Sequence, residues 1–212
     1  MYTQTWLKNC CSLEHAEAFF AQAILLVEGP TEMEAFPIFS RACGIDFDAL
    51  NISVVSANGK GNLDALYQLY EGHGIPVFLV FDNDRGGKHE DIKPNCILTR
   101  LIGLNEIEMP NPTLTDRYCI LEKNFESMLS HELEAIDPEH YATLQKEASD
   151  LLGPRPGKPI VARYMATELQ ARGIVPPTFR KIAEAVAQLA NPQLTVSEES
   201  LSSDISEVDI PF

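Results

Sequence analysis

Positive charge is scarce in this sequence. Its 212 residues carry 16 Lys and Arg against 31 Asp and Glu, a formal net charge of -15. That balance argues against a strong independent grip on nucleic acid, which usually leaves a basic footprint. Aromatic residues are few, and Trp6 is the lone tryptophan, so no base-stacking platform is evident. No apolar run approaches the roughly 18 residues a membrane span needs. Met1 to Leu13 lacks the basic-then-apolar order of a secretory signal. Five cysteines are too few and too unevenly placed for a disulfide scaffold. Cys10 and Cys11 are adjacent, while Cys43, Cys96 and Cys119 lie in apolar segments. They read as buried thiols of a reducing, cytoplasmic protein. Neither cysteine nor histidine shows metal-ligand spacing, and His89 reads as an exposed loop residue. Gly59-Lys60 lacks the spacing and the hydroxyl residue of a nucleotide phosphate loop.

Carboxylates, by contrast, are abundant. Glu198, Glu199, Asp204, Glu207 and Asp209 belong to a Ser- and acid-rich tail, 192–212, expected to be flexible. The others matter by where they fall. Ala23 to Val27 (AILLV) is a short apolar run of the kind that forms a buried parallel strand, preceded by a helical pattern over Glu14 to Gln22. Thr31 and Glu34 form a capping-box pattern that predicts a helix to about Cys43. Asn51 to Ser56 predicts a second strand, Asn58 to Gly61 a tight turn, and Leu63 to Tyr70 a helix. Pro76 to Phe81 (PVFLVF) predicts a third buried strand. A helix near Ile97 to Ile102 and a strand at Tyr118 to Leu121 follow. Alternation of this kind predicts an α/β fold, a Rossmann-like, mostly parallel sheet flanked by helices. We assign this core to 13–123. Four helical patterns then define an additional C-terminal helical subdomain at 124–191: Phe125 to Ala135, Glu139 to Leu152, Lys158 to Arg172 and Phe179 to Leu189.

In such sheets ligands sit at the carboxyl ends of strands, and the acidic pairs fall there. Glu28 ends the first strand, and Glu32 lies in the first turn of the next helix. Asp82 and Asp84 close the third strand two residues apart, so in extended chain both would face one way. Glu122 and Glu126 follow the fourth strand four residues apart, a spacing that shares one helical face. Each pair alone has an ordinary reading as helix decoration, turn former or solvated edge. Together they would form an oxygen-only cluster suited to Mg²⁺ or Mn²⁺. Two such ions about 4 Å apart can activate water and stabilise the leaving oxygen in phosphodiester hydrolysis.

The strings LLVEGPTE and VFLVFDND resemble the TOPRIM domain shared by topoisomerases, bacterial primases, recombination proteins and OLD (overcoming lysogenization defect) nucleases. The Glu after the first strand and the Asp-x-Asp after the third correspond to Glu28, Asp82 and Asp84. The segment EHAEAFFA, the run from Leu121 to Glu126 and Gly157-Lys158-Pro159 are most similar to the nuclease half of OLD proteins, over roughly Leu13 to Ala171. The resemblance implies a metal-dependent DNA endonuclease in which Glu28, Glu32, Asp82, Asp84, Glu122 and Glu126 hold two Mg²⁺ or Mn²⁺ ions. It makes Lys158, with Glu28 and Asp82, catalytic, the lysine stabilising charge on the scissile phosphate. Lys60 and Arg85, on loops at the same sheet edge, are candidates for contacting DNA phosphates. An ABC-type ATPase domain accompanies this half in OLD proteins and has no counterpart in the sequence. The isolated chain is expected to be monomeric, with no membrane association.

Other readings stay open at this point. A small TOPRIM ribonuclease that processes structured RNA would want a basic appendage, and the helical half is not basic. A receiver-like signalling module also gathers acids at strand ends, but its first acidic pair is adjacent and it has no use for Glu122 and Glu126. A dehalogenase-type phosphatase places its Asp-x-Asp after the first strand. Topoisomerases and primases need further catalytic or zinc-binding regions.

Overall fold

The computed structural model describes residues 13–88, 92–153 and 156–193. Helix α1 (Leu13–Ala18) leads into β1 (Ala23–Val27), α2 (Pro30–Ala42), β2 (Ile52–Ser56), α3 (Leu63–Gly72) and β3 (Val77–Asp82). Helix α4 (Pro94–Leu101), β4 (Thr113–Leu114) and β5 (Tyr118–Leu121) complete the sheet region. Four helices follow: α5 (Phe125–Ile136), α6 (Pro138–Leu152), α7 (Lys158–Ala171) and α8 (Pro177–Ala190).

The strands form one sheet in the order β2-β1-β3-β5-β4. All neighbours run parallel except the two-residue β4, which pairs antiparallel with β5 at the edge. So short an edge strand has no periodicity to read, and only its pairing defines it. Both sheet faces are covered, which is why AILLV and VFLVFD are buried at every position. Successive side chains point to opposite faces. Ala23, Leu25, Val27, Phe78 and Val80 enter one core with α2, α5, α7 and α8. Ile24, Leu26, Val77, Leu79 and Phe81 enter the other with Leu63, Leu66 and Tyr70 of α3.

The helices after 124 complete the first of these cores. Phe179 of α8 is fully buried, with ring centroids 5.1 Å from Phe39, 5.1 Å from Phe125 and 5.6 Å from Phe36. Burial of each such ring contributes about 1.5–3 kcal/mol, so the cluster locks α2 and α5 to α8. That lock holds Glu32 and Glu126, both in first turns, near one another.

Local signals were overridden in two places. Helix α1 ends at Ala18, four residues short of the pattern, because the backbone N–H of Gln22 is taken by Asn51 O at 2.8 Å as the chain enters the sheet. Helix α2 starts at Pro30, not Thr31, and its N-cap is Gly29 with no side-chain cap. Proline suits the first helical position because its missing N–H would be unpaired there anyway, and the capping box goes unused. Of the cysteines expected to be buried, Cys119 is, whereas Cys43 and Cys96 are half-buried. No helix among the described residues is long and apolar enough to cross a membrane. Trp6, Cys10, Cys11, His89 and the acidic tail beyond residue 193 lie outside the described residues.

Candidate metal centre

The chain turns from β1 to β2 on one side and then to β3 on the other, so a crevice opens at the carboxyl ends of β1 and β3. Glu28 follows β1 directly, and Asp82 is the last residue of β3. Glu32 comes from the first turn of α2, Glu126 from the first turn of α5, and Lys158 is the first residue of α7. The loop after β2 is pinned beside them, since Ala57 N donates to Val27 O and Gly59 N to Glu28 O, both at 2.9 Å. Lys60 follows in a short 3-10 turn.

Glu32 and Asp82 are 6% and 8% exposed, which is rare for carboxylates unless charge is matched. Burial pushes Asp82 up to about 9, helped by Glu28, Glu32 and Asp84 and opposed by Lys60. Burial likewise pushes Glu32 up to about 7, with Glu28 and Glu126 adding to it against the backbone N–H groups of the helix start. Asp82 Oδ1 is buried and accepts no hydrogen bond among the described residues. The site therefore holds more negative charge than its lysines offset. Its donors are all oxygen, and that chemistry fits a hard divalent cation. As posed, no three His, Cys, Asp or Glu side chains among the described residues form a ready cation cage. Two of the carboxylates are turned to lysines: Asp84 Oδ2 to Lys60 Nζ at 2.5 Å and Glu126 Oε1 to Lys158 Nζ at 2.9 Å.

Lys158 is 74% exposed, and its hydrogen bond to Glu126 raises its pKa, holding it cationic at the mouth of the crevice. Lys60, expected on an exposed loop facing DNA, is instead 7% exposed. Its ammonium donates to the Asp82 main-chain oxygen as well as to Asp84, and lies 5.9 Å from the Phe81 ring centroid. An ammonium so committed is an internal counter-charge for the Asp82–Asp84 loop.

Two further expectations rested on regular backbone that stops too soon. Asp84 has φ 52, so the extended alternation that would align it with Asp82 ends before it, although its charge still acts on Asp82. Lys123 has φ 67 and Asn124 caps α5, so Glu122 lies ahead of the helix and the four-residue spacing to Glu126 gives no shared face. Glu122 turns outward to Arg85, Oε1 to Nη1 3.6 Å, and is about half exposed. Glu28, Glu32, Asp82, Asp84, Glu126 and Lys158 are thus brought together, while Glu122 and Arg85 form a neighbouring lip.

Asn83, between the two aspartates, is a positioning residue that spacing alone did not single out. It is fully buried, and its Oδ1 accepts from Lys123 N at 2.8 Å and Arg85 N at 3.0 Å. Its Nδ2 donates to Pro110 O at 3.1 Å, and its own carbonyl accepts from Asn95 Nδ2 at 3.0 Å. One amide thus joins the loops after β3 and β5. The polarity of a residue flanked by two aspartates is the only hint of this in the sequence. Beyond it, Gly86 at φ 84 and Gly87 complete the turn; a Cβ on Gly87 would lie 2.8 Å from Asp84 O.

Residues 19–84 match the model of the family described as overcoming lysogenization defect protein-like, TOPRIM domain. The uncharacterized protein YbjD of Escherichia coli (strain K12) is 28% identical over 179 residues, which are 82% of this chain and 31% of that protein. The chain thus spans about a third of the length of this curated relative. Solved structures from two OLD proteins are among those that share the fold. The C-terminal region of the Burkholderia pseudomallei OLD protein aligns with TM-score 0.57 and 21% identity, over 81% of this chain and 99% of that one. That of the Xanthomonas campestris pv. campestris OLD protein aligns with TM-score 0.56 and 20% identity, over 82% and 96%.

Proposed function

We propose, from the premise that residues 19–84 form an OLD-like TOPRIM domain, that this chain is the nuclease part of a larger protein and hydrolyses DNA phosphodiester bonds in a divalent-metal-dependent reaction. The observation that carries the reading is the meeting of Glu28, Glu32, Asp82, Asp84 and Glu126 with Lys158 at the carboxyl edge of a parallel sheet. Raised carboxyl pKa values in a crevice are a mark of functional sites. An ATPase domain elsewhere in the full protein is the partner this reading calls for, and it would also strengthen the DNA grip that a net charge of -15 leaves weak in this chain.

Glu28, Glu32, Asp82 and Asp84 would hold the metal on the sheet side, with Glu126, and Glu122 after rotation from Arg85, on the other. Mg²⁺ or Mn²⁺ ions, when bound, supply the charge that activates water and neutralises the departing oxygen. Hydrolysis adds one water oxygen to phosphorus and expels one ester oxygen, which takes up a proton. Lys158, exposed and kept cationic by Glu126, is placed to offset charge on the phosphate as that bond breaks. Lys60 keeps Asp84 oriented from beneath.

The test is cleavage of supercoiled plasmid with Mg²⁺, Mn²⁺ or EDTA, beside Glu28→Ala, Asp82→Ala and Lys158→Ala. Nicking and linearisation that need metal and vanish in the three variants are the expected result. Folded protein that leaves DNA intact with either metal but trims structured RNA would move the assignment to the ribonuclease reading. If it cleaves neither, the nuclease reading falls.

A further inference from the structure

Beside the carboxylates lies a cleft of about 260 Å³ lined by Arg85, Glu122, Lys123, Ser127, Met128 and His131. We propose that it is the subsite for the sugar–phosphate unit next to the scissile bond, with Arg85, Lys123 and His131 as its phosphate-binding groups. The inference rests on the nuclease reading and names where that site receives its strand.

The residues lining the cleft are chain neighbours of those at the metal centre. Arg85 follows Asp84 in the chain, Ser127 follows Glu126, and the backbones of Arg85 and Lys123 are both bound by the Asn83 side chain. A strand whose phosphate lay at Lys158 and the carboxylates would therefore run into this cleft. Its charge is also opposite to that of the whole molecule. In a chain of net charge -15, an arginine, a lysine and a histidine line this cleft beside one carboxylate. Arg85 is only loosely held, 3.6 Å from Glu122 with both side chains about half exposed. The side chains of Lys123 and His131 enter no ion pair among the described residues. Met128 offers apolar surface for a sugar, and the volume suits a sugar with its phosphate better than a lone ion.

Lys123 bears a second sign of use. It stands at φ 67, a left-handed conformation in which glycine would sit without strain. Lysine there costs stability that the backbone does not require, so the ammonium at that point is what the position supplies.

The experiment is fluorescence anisotropy of a short labelled DNA duplex in Ca²⁺ over a series of salt concentrations, for the wild-type chain, Arg85→Ala, Lys123→Ala and Lys123→Gly. Removing either cationic side chain should weaken binding roughly five- to ten-fold at about 0.1 M salt and lower the salt slope by about one. Lys123→Gly should bind as poorly as Lys123→Ala while unfolding at a temperature no lower than wild type, which separates loss of the ammonium from loss of the fold. Variants that match wild type in affinity and salt slope would overturn the subsite and leave the nuclease reading intact. A wild-type chain that neither binds DNA nor cleaves it with Mg²⁺ would remove the nuclease reading, and the subsite with it.

Discussion

Replacing Asp82 by asparagine removes the most perturbed carboxyl of the site at almost constant volume. In the folded protein Asp82 is pushed from 3.8 up to about 9, first by burial and then by Glu28, Glu32 and Asp84. The unfolded chain leaves it near its ordinary value. Between about 3.8 and 9 the folded state thus binds a proton that the unfolded state releases, so metal-free stability is greatest below this window and falls as pH rises through it. From 3.8 to pH 7, at about 1.36 kcal/mol per pH unit, the loss comes to about 4 kcal/mol. Asp82→Asn should therefore be more stable than wild type in EDTA at neutral pH, by up to about that amount, with the difference fading toward pH 4. Some of the relief would pass to Glu32, which sits in the same field at about 7. Urea unfolding in EDTA at about pH 5, 7 and 9 measures this directly. Adding Mg²⁺ should then stabilise wild type far more than the variant, because an ion bound to the folded state shifts the equilibrium by mass action. A variant no more stable than wild type at neutral pH, with a parallel pH profile, would refute the idea that the burial and crowding of the Asp82 carboxyl are what a cation relieves.

Asn83→Ala leaves the backbone N–H groups of Arg85 and Lys123 and the carbonyl of Pro110 without their side-chain partner at a fully buried position, and should cost about 3–5 kcal/mol in thermal or urea unfolding. Lys158→Ala, at a 74% exposed position, should change stability by less than about 1 kcal/mol; plasmid cleavage should nevertheless fall by roughly 100-fold or more. Burial pushes the Cys119 thiol up to about 12, so native-state alkylation followed by peptide mass spectrometry should find Cys43 and Cys96 modified well before Cys119.

Strand positions were legible because short apolar runs between turn residues leave few alternatives. Ala23–Val27 and Tyr118–Leu121 fall where the composition placed them, and Glu28 and Asp82 are neighbours because they end adjacent parallel strands. The order β2-β1-β3-β5 was not legible, since strand order is decided by which helix covers which face.

Sequence by itself determined an α/β core with acidic residues at its strand ends, since burial patterns and residue types are local properties of the chain. Only the tertiary structure decided which charges meet. A left-handed φ at Asp84 and at Lys123 redirects the side chains around them, so that Lys60 goes inward to Asp84 while Glu122 goes outward to Arg85. Spacing rules assume regular backbone, and these two residues lie where it ends, Lys123 held by an Asn83 amide 40 residues away and Asp84 N donating to Lys123 O.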